Sequence, residues 1–343
     1  MGSTRTASTG AGSRAAAEDL MRAIAQDAYG TTEVLRLAEI AKPVIAANEV
    51  LVKVGAAGMD RGTWHMMTGQ PYLLRIMGFG FRKPKNRVPG LDVAGTVAAI
   101  GAEVTRFKIG DEVFGVSRGS FAEYAAALES KLALKPVNVS FEQAAVLGVS
   151  ATVALRALRD SGHVEAGQKV LILGASGGVG TYAVQLAKAF GAEVTGVSSA
   201  AKLDLVRSLG ADHALDYASE DFADGAHHYD LILDIGGNSR LSKLRQALTA
   251  KGTVVIIGGE EGGKLTGGFG RSLRAPLLSL VVGQRLVMFI TKENSVDLKQ
   301  LGQFIESGQL TPMIDKTYSL CEVRDAMRHL QAGHARGKLA IRI

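Results

Sequence analysis

The chain is nearly without cysteine: Cys321 stands alone among 343 residues. A single thiol excludes a disulfide framework and any metal site built from several thiolates, and it fits a reducing compartment such as the cytoplasm. Aromatic residues are scarce too, at 6%, and no basic run is interleaved with them, so nothing points to a nucleic-acid partner. The longest apolar candidate, APLLSLVVG at residues 275–283, falls far short of the ~18 residues that cross a bilayer, which excludes a membrane-spanning helix. Acidic residues number 33 against 39 basic ones, and the resulting net charge of +6 favours anionic small molecules as ligands.

What remains is an ordinary globular composition, 47% hydrophobic and 21% charged, in a chain long enough for two domains. The first twenty residues contain 14 Ala, Gly, Ser or Thr and no periodicity, which predicts a disordered extension over 1–20. Arg5 and Arg14 among Ser and Ala are a transit-peptide feature, but Glu18, Asp19 and the missing amphipathic pattern favour a plain tail. From Met21 short strand-like runs follow, MRAIAQ, VLRLAEI, EVLVKVGAAG, DVAGTVAAIG and DEVFGV, and predict a β-rich unit. FEQAAVLGVSATVALRALRDSG then brings apolar residues at helical spacing and a stop at Gly162.

Beyond it lies strict alternation: strand KVLILG, helix VGTYAVQLAKAFG, strand EVTGVS, helix AKLDLVRSLG, strands HALDY and YDLILDIGG, helix SRLSKLRQALTAKG, strand TVVIIGG. Strands apolar throughout, separated by amphipathic helices, predict a doubly wound parallel sheet. The chain end returns to short strands around the helix VRDAMRHLQAGHA and finishes on GKLAIRI. The expected class is α/β, with a β-rich domain made of 21–147 and 299–343 and a parallel-sheet domain over 148–298.

LILGASGGVG, residues 171–180, is the segment that carries chemistry. Gly174, Gly177 and Gly180 are spaced three apart, which departs from the G-x-G-x-x-G fingerprint. The cluster nevertheless follows an all-apolar strand and opens a helix, the arrangement that brings backbone N–H groups to a pyrophosphate. Ser176, Gly178 and Val179 complete this candidate cradle; the competing reading is a glycine-rich turn with no ligand. An NAD site would place an acid ~20 residues on, at the end of the next strand. Ser198 and Ser199 stand there instead, with Lys202 beyond, so hydroxyls and an ammonium are available to a 2′-phosphate and NADPH is the expected cofactor. The serines could equally cap the helix that follows.

The run GASGGVGTYAVQLAKAFGAEVTGVSSAAKLDLVRSLGADHALDY resembles the cofactor domain of the zinc-independent medium-chain dehydrogenase/reductases, the quinone oxidoreductase-like group. AAGMDRGTW and VPGLDVAGTVAAIGAEVTRFKIGDEVFG follow the same family's pattern in order. The resemblance implies a GroES-like first domain, a Rossmann domain and a cofactor between them. It implies that Tyr217 joins Ser199 and Lys202 around the adenosine phosphate, that Thr152 lies near the nicotinamide, and that strand 285–291 pairs with its copy in a homodimer. A monomer whose edge is shielded by residues 275–283 is the alternative. Gly258 and Lys338 complete the candidate cofactor contacts.

Zinc members of that superfamily carry Cys and His-Glu where this chain has Met59-Asp60 and Leu91-Asp92. Without thiolate and imidazole ligands no metal site is expected. Metal-free hydride transfer from NADPH to a quinone or an α,β-unsaturated carbonyl is then the leading reading. Enoyl or alkenal C=C reduction is a variant of it, and an NADPH-binding protein without catalysis is the alternative of another class. Asp60, Trp64 and Tyr72 are the candidate substrate contacts, with Tyr124 behind them. Asp60 and Thr63 depart from the Asn and Asp usual in related quinone reductases. His65 could donate a proton, although packing or surface is the reading favoured for a lone histidine there. His227 and His228 read as loop residues, and Cys321 as a small buried or half-buried side chain. Residues 73–87 contain five basic residues and no acid, and could overhang the cleft with Met77, Phe79 and Phe81 against a hydrophobic substrate.

Overall fold

The computed structural model describes residues 20–237, 239–258, 263–290 and 292–343. Residues 1–19 of the expected extension lie outside the described residues, and Leu20 already belongs to a strand. Strands β1 (Leu20–Ala25) and β2 (Arg36–Ala41) form an antiparallel ribbon. Next come β3 (Glu49–Met59), helix α1 (Arg61–Thr68), β4 (Asp92–Ile100), β5 (Glu112–Val116), β6 (Tyr124–Leu128) and β7 (Leu132–Leu134). The helical stretch breaks into α2 (Phe141–Ala145), opened by a Ser140/Gln143 capping box, and α3 (Ser150–Arg156), which continues as a wider turn to Gly162.

The alternating region supplies β8 (Lys169–Leu173), α4 (Gly180–Ala189), β9 (Glu193–Ser198), α5 (Leu203–Ser208), β10 (His213–Asp216) and β11 (Tyr229–Asp234). It continues with α6 (Leu241–Gln246), β12 (Leu248–Ile256), α7 (Phe269–Ser279) and β13 (Arg285–Met288). These strands form one parallel sheet in the order β10-β9-β8-β11-β12-β13, which is the Rossmann order with its reversal between β8 and β11. Helix α8 (Ser295–Glu306), β14 (Ile314–Ser319), α9 (Val323–Gln331) and β15 (Lys338–Arg342) complete the chain. β15 pairs antiparallel with β3, so the C terminus joins the first sheet, ordered β14-β15-β3-β4-β5-β7 with β6 also on β3.

The sequence pattern extends the helix SRLSKLRQALTAKG too far. Helix α6 ends at Gln246, and Leu248 pairs with Tyr229 at the start of β12 because Ala247 and Leu248 are buried against the sheet. Cys321 is exposed rather than buried, since its 3₁₀ turn points Leu320 inward. Of residues 285–291, strand geometry covers 285–288 at the sheet edge; Thr291 lies outside the described residues.

A single apolar cluster runs through both halves, from Ala56, Ala94 and Phe114 of the first sheet to Leu155 and then Val170 and Val194 of the second. Burial on this scale favours the assembled pair of sheets by roughly 25 cal/mol for each Å² of apolar surface. Within the second half Asp297 of α8, almost wholly buried, accepts from Arg159 at 2.8 Å.

Candidate active site

The carboxyl ends of β8, β9, β11 and β12 open into a cleft of about 1040 Å³, at the sheet's reversal, where open α/β folds bind ligands. Gly174, at φ 88°, turns the chain out of β8 while its N–H and that of Ala175 both donate to Val197 O, at 3.1 and 3.0 Å. Gly180 permits the tight return: a Cβ there would stand 2.1 Å from Gly174 O. Gly180 thus shapes the cradle from behind, whereas Gly174, Ser176, Gly177, Gly178 and Val179 line the cleft beside the first turn of α4. A side chain at Gly178 would press Lys338 Cδ at 2.9 Å. On the far wall Gly258 brings β12 against β11, where a Cβ would meet Ile235 O at 1.9 Å.

At the β9 end, Ser198, Ser199, Lys202 and Tyr217 all line the cleft. Ser199 makes no side-chain cap to the turn after it, so capping does not consume its hydroxyl. The backbone N–H of Tyr217 donates to Ser198 O at 3.1 Å, which holds the tyrosine beside the serines. Lys202 Nζ donates to Gly333 O and Ala335 O, at 3.0 and 2.9 Å, and burial holds its ammonium below the ordinary lysine value. Beside it, off the cleft wall, Arg336 of the same loop bonds Ala201 O at 2.8 Å and pairs with Asp204 at 2.7 Å. Sequence reasoning missed Arg336, because it comes from the far end of the chain.

The floor is polar and buried. Asp60 caps α1, accepting from Thr63 N at 2.9 Å through Oδ1, while its Oδ2 is buried with no hydrogen-bond partner among the described residues. Lys338 Nζ lies 3.8 Å from that oxygen, 3.1 Å from Asp92 Oδ2 and 3.0 Å from Ser150 Oγ. Asp92 Oδ1 accepts from Val149 N at 2.7 Å. Complete burial raises Asp92 to about 7 even though Lys338 pulls it down. Asp60, Ser150 and Lys338 line the cleft; Thr152, two residues on from Ser150, does not reach its wall and is fully buried with its hydroxyl unpartnered among the described residues, so the expected contact with the nicotinamide is not made from this position.

Opposite the floor, Pro71 and Leu74 meet Gly268 and Ser272 in a roof sealed by backbone bonds from Tyr72 N to Lys264 O (2.8 Å) and from Leu73 N to Leu265 O (3.1 Å). The basic segment does reach the cleft, through Leu74. Met77 and Phe81, 62% and 72% exposed, face outward and do not cover a substrate, and Phe79 is half-buried off the wall. The Tyr72 side chain lies outside the lining as well, held by the Arg75 guanidinium 4.6 Å from its ring. Trp64 packs toward the α9 core with its Nε1 buried and unpartnered among the described residues, and Tyr124 sits under Lys42. Of the three substrate contacts expected from sequence, only Asp60 reaches the cavity wall. His65 does reach it, with Nδ1 2.6 Å from Gln70 O. At the β11 end Asp234, 1% exposed, is paired with Arg271 of α7, which also bonds Ser239 O and Gly258 O.

Two stretches match known domain families: residues 46–137 the alcohol dehydrogenase GroES-like domain, and residues 209–341 the zinc-binding dehydrogenases. Over 339 residues the chain is 35% identical to 2-methylene-furan-3-one reductase of Solanum lycopersicum and, equally, to the chloroplastic NADPH-dependent alkenal/one oxidoreductase of Arabidopsis thaliana. Each match takes in 94% of this chain and 79% of the relative. The quinone oxidoreductase of Pongo abelii is 30% identical over 95% of this chain and 99% of its own. The chain belongs to the quinone oxidoreductase-like medium-chain dehydrogenase/reductases. The solved quinone oxidoreductase of Coxiella burnetii shares the fold at a TM-score of 0.83 and 27% identity, over 94% of this chain and 99% of its own.

The zinc named by one of those families does not fit this member. No three His, Cys, Asp or Glu side chains converge among the described residues, and the ammonium of Lys338 stands between the carboxylates of Asp60 and Asp92. A dinucleotide does fit. The glycine turn at Gly174–Gly178 supplies backbone at the switch point, and the adenosine end offers Ser199, Lys202 and Tyr217 without an acid at the tip of β9.

Proposed function

We propose that the protein transfers a hydride from NADPH to a quinone or an α,β-unsaturated carbonyl without a metal. The observation that carries this is the cleft itself: a phosphate-suited turn at one end, hydroxyls and a lysine at the β9 tip, and an unpartnered buried carboxylate oxygen on the floor. Ser199, Lys202 and Tyr217 would hold the 2′-phosphate and the Gly174–Gly178 turn the pyrophosphate. When bound, the nicotinamide supplies a two-electron reductant; the protein holds the acceptor, excludes water and provides a proton. Reduction of a conjugated C=C bond rather than a quinone is favoured by the relatives from Solanum and Arabidopsis, whose names describe enone and alkenal chemistry.

NADPH oxidation followed at 340 nm against quinones, enones and saturated aldehydes tests the reading. Turnover of quinones or enones with aldehydes inert is expected; oxidation of NADPH by none of them, with the cofactor bound, would overturn it in favour of a non-catalytic role. Semiquinone release, read by cytochrome reduction, separates the quinone from the enone variant. We further propose a cytoplasmic homodimer joined through β13, an edge strand of the parallel sheet; light scattering of the intact protein at the mass of one chain would contradict it.

A further inference from the structure

Hydride transfer to a conjugated carbonyl leaves an electron pair that must be met by a proton, and the floor holds a group suited to provide one. Asp60 comes from the end of β3, Asp92 from β4 and Lys338 from β15, and all three are at least nine-tenths buried. The charged and titratable side chains facing Asp92 among the described residues are Lys338, Asp60 and Tyr182 of α4; the Tyr182 hydroxyl donates to Val146 O at 3.0 Å and its own ionisation is pushed up by burial and by Asp92. Two carboxylates around one ammonium leave the cluster one negative charge in excess. In a site this dry that excess is relieved by binding a proton.

Resting on the functional reading above, we infer that Asp92, Lys338 and Asp60 form a proton relay: Asp92 stores the proton, Lys338 carries it, and Asp60 Oδ2 delivers it to the acceptor. As hydride adds to the acceptor's electrophilic atom, its π electrons move to the conjugated oxygen. The stored proton reaches Asp60 beforehand: the Lys338 ammonium passes a proton to Asp60 Oδ2 across the 3.8 Å gap, and the Lys338 amine takes the proton of the Asp92 carboxyl across 3.1 Å. The new O–H bond of Asp60 then breaks and its proton goes to that oxygen or to the adjacent carbon, leaving both carboxylates charged around the ammonium. The cluster regains one proton from water in the cleft, through Asp60 and Lys338 on its wall, between turnovers. NADPH is the reductant and the net consumption is one proton per acceptor reduced. Asp60 is the catalytic residue of the three; Asp92 and Lys338 act through it.

The relay is coupled to cofactor binding by position. Gly178 and Lys338 line the cleft side by side, and a Cβ at Gly178 would come within 2.9 Å of Lys338 Cδ. A pyrophosphate settling on that glycine brings negative charge above the ammonium and competes with Asp92 for it, which raises Asp92's affinity for a proton. Burial already holds Asp92 well above the ordinary carboxylate value, so binding draws in a further fraction of a proton near neutral pH.

Calorimetric titration of NADPH at pH 7 into the whole protein, in two buffers of different ionisation enthalpy, measures that uptake. The expected result is net uptake in the wild type relative to Asp92→Asn, the difference cancelling the titration of the cofactor's own 2′-phosphate. Equal proton linkage in the two proteins would overturn the storage role. Asp60→Asn keeps the helix cap, so it should still bind NADPH, with smaller proton uptake because one of the two carboxylates is gone, yet lose about 100-fold in kcat, at little change in KM for the acceptor, with an enlarged solvent isotope effect. Wild-type turnover in Asp60→Asn would overturn the delivery step even if Asp92→Asn proved too unstable to assay. Proton uptake in a protein that reduces no quinone or enone would support the stored proton and overturn only the acceptor assigned above.

Discussion

At the phosphate end of the cleft the lining residues from Gly174 to Val179 come from one turn; at the floor Asp60, Asp92 and Lys338 come from three strands, with 246 residues between Asp92 and Lys338. The turn needs only backbone and therefore glycine, while the floor needs charges whose partners exist only once the first sheet has closed on its C-terminal strand. A local site fails by overfilling, and an assembled one by losing a partner. The two ends should accordingly respond to different substitutions and to different variables, sterics at one and pH at the other.

The largest effect belongs to an assembled pair. Arg271→Met leaves Asp234 buried without its cation and should cost about 3–5 kcal/mol, read as a fall in urea midpoint. An unchanged midpoint would mean that the β11 end does not depend on α7. Next comes the local turn: Gly178→Val should leave the fold intact but weaken NADPH about 10- to 100-fold, as expected for about 1–3 kcal/mol of overpacking against Lys338. Full affinity in that variant would remove the turn from the cofactor site.

The pH prediction sharpens the contrast. Asp92 is raised from 3.8 to about 7 on folding, so its stabilising contribution is complete below pH 4 and is lost as pH rises through 7. Between pH 4 and 7 the stability of the wild type should fall relative to Asp92→Asn; parallel pH profiles would contradict that environment for Asp92. The smallest effect is expected off the wall: Trp64→Phe removes an indole N–H that is buried and unpartnered among the described residues, and should change stability by no more than about 1 kcal/mol and turnover hardly at all. A large loss of turnover would place Trp64 at the substrate.

These outcomes follow what could be read from the chain beforehand. The strand, glycine turn and helix of residues 169–189 were legible because each depends on its own neighbours, and β9's acid-free tip was visible in the letters VSSAAK. Asp60 was singled out by its place beside Met59, but its unpartnered oxygen facing Lys338 was not, because nothing in MDRGTW announces a strand ending at residue 342. Arg336 and Arg271 were missed for the same reason. Trp64 and Tyr72 were chosen as large aromatics near the cleft, and packing at α9 in one case and an arginine beside the ring in the other took them off its wall. Aromatic identity predicts burial; it does not say on which side of a helix the cavity will lie.

The account stands most directly on the cofactor assigned to the cleft, and on Lys202 as the cation that selects it. The decisive measurement is the ratio of NADPH to NADH affinity in the wild type and in Lys202→Ala. The account predicts that the wild type prefers NADPH and that the variant loses about 10- to 100-fold for NADPH while NADH binding is nearly unchanged, as expected for a charge-assisted bond to the 2′-phosphate worth about 1.5–3 kcal/mol. Equal losses for both cofactors, or a wild type indifferent to the phosphate, would contradict it.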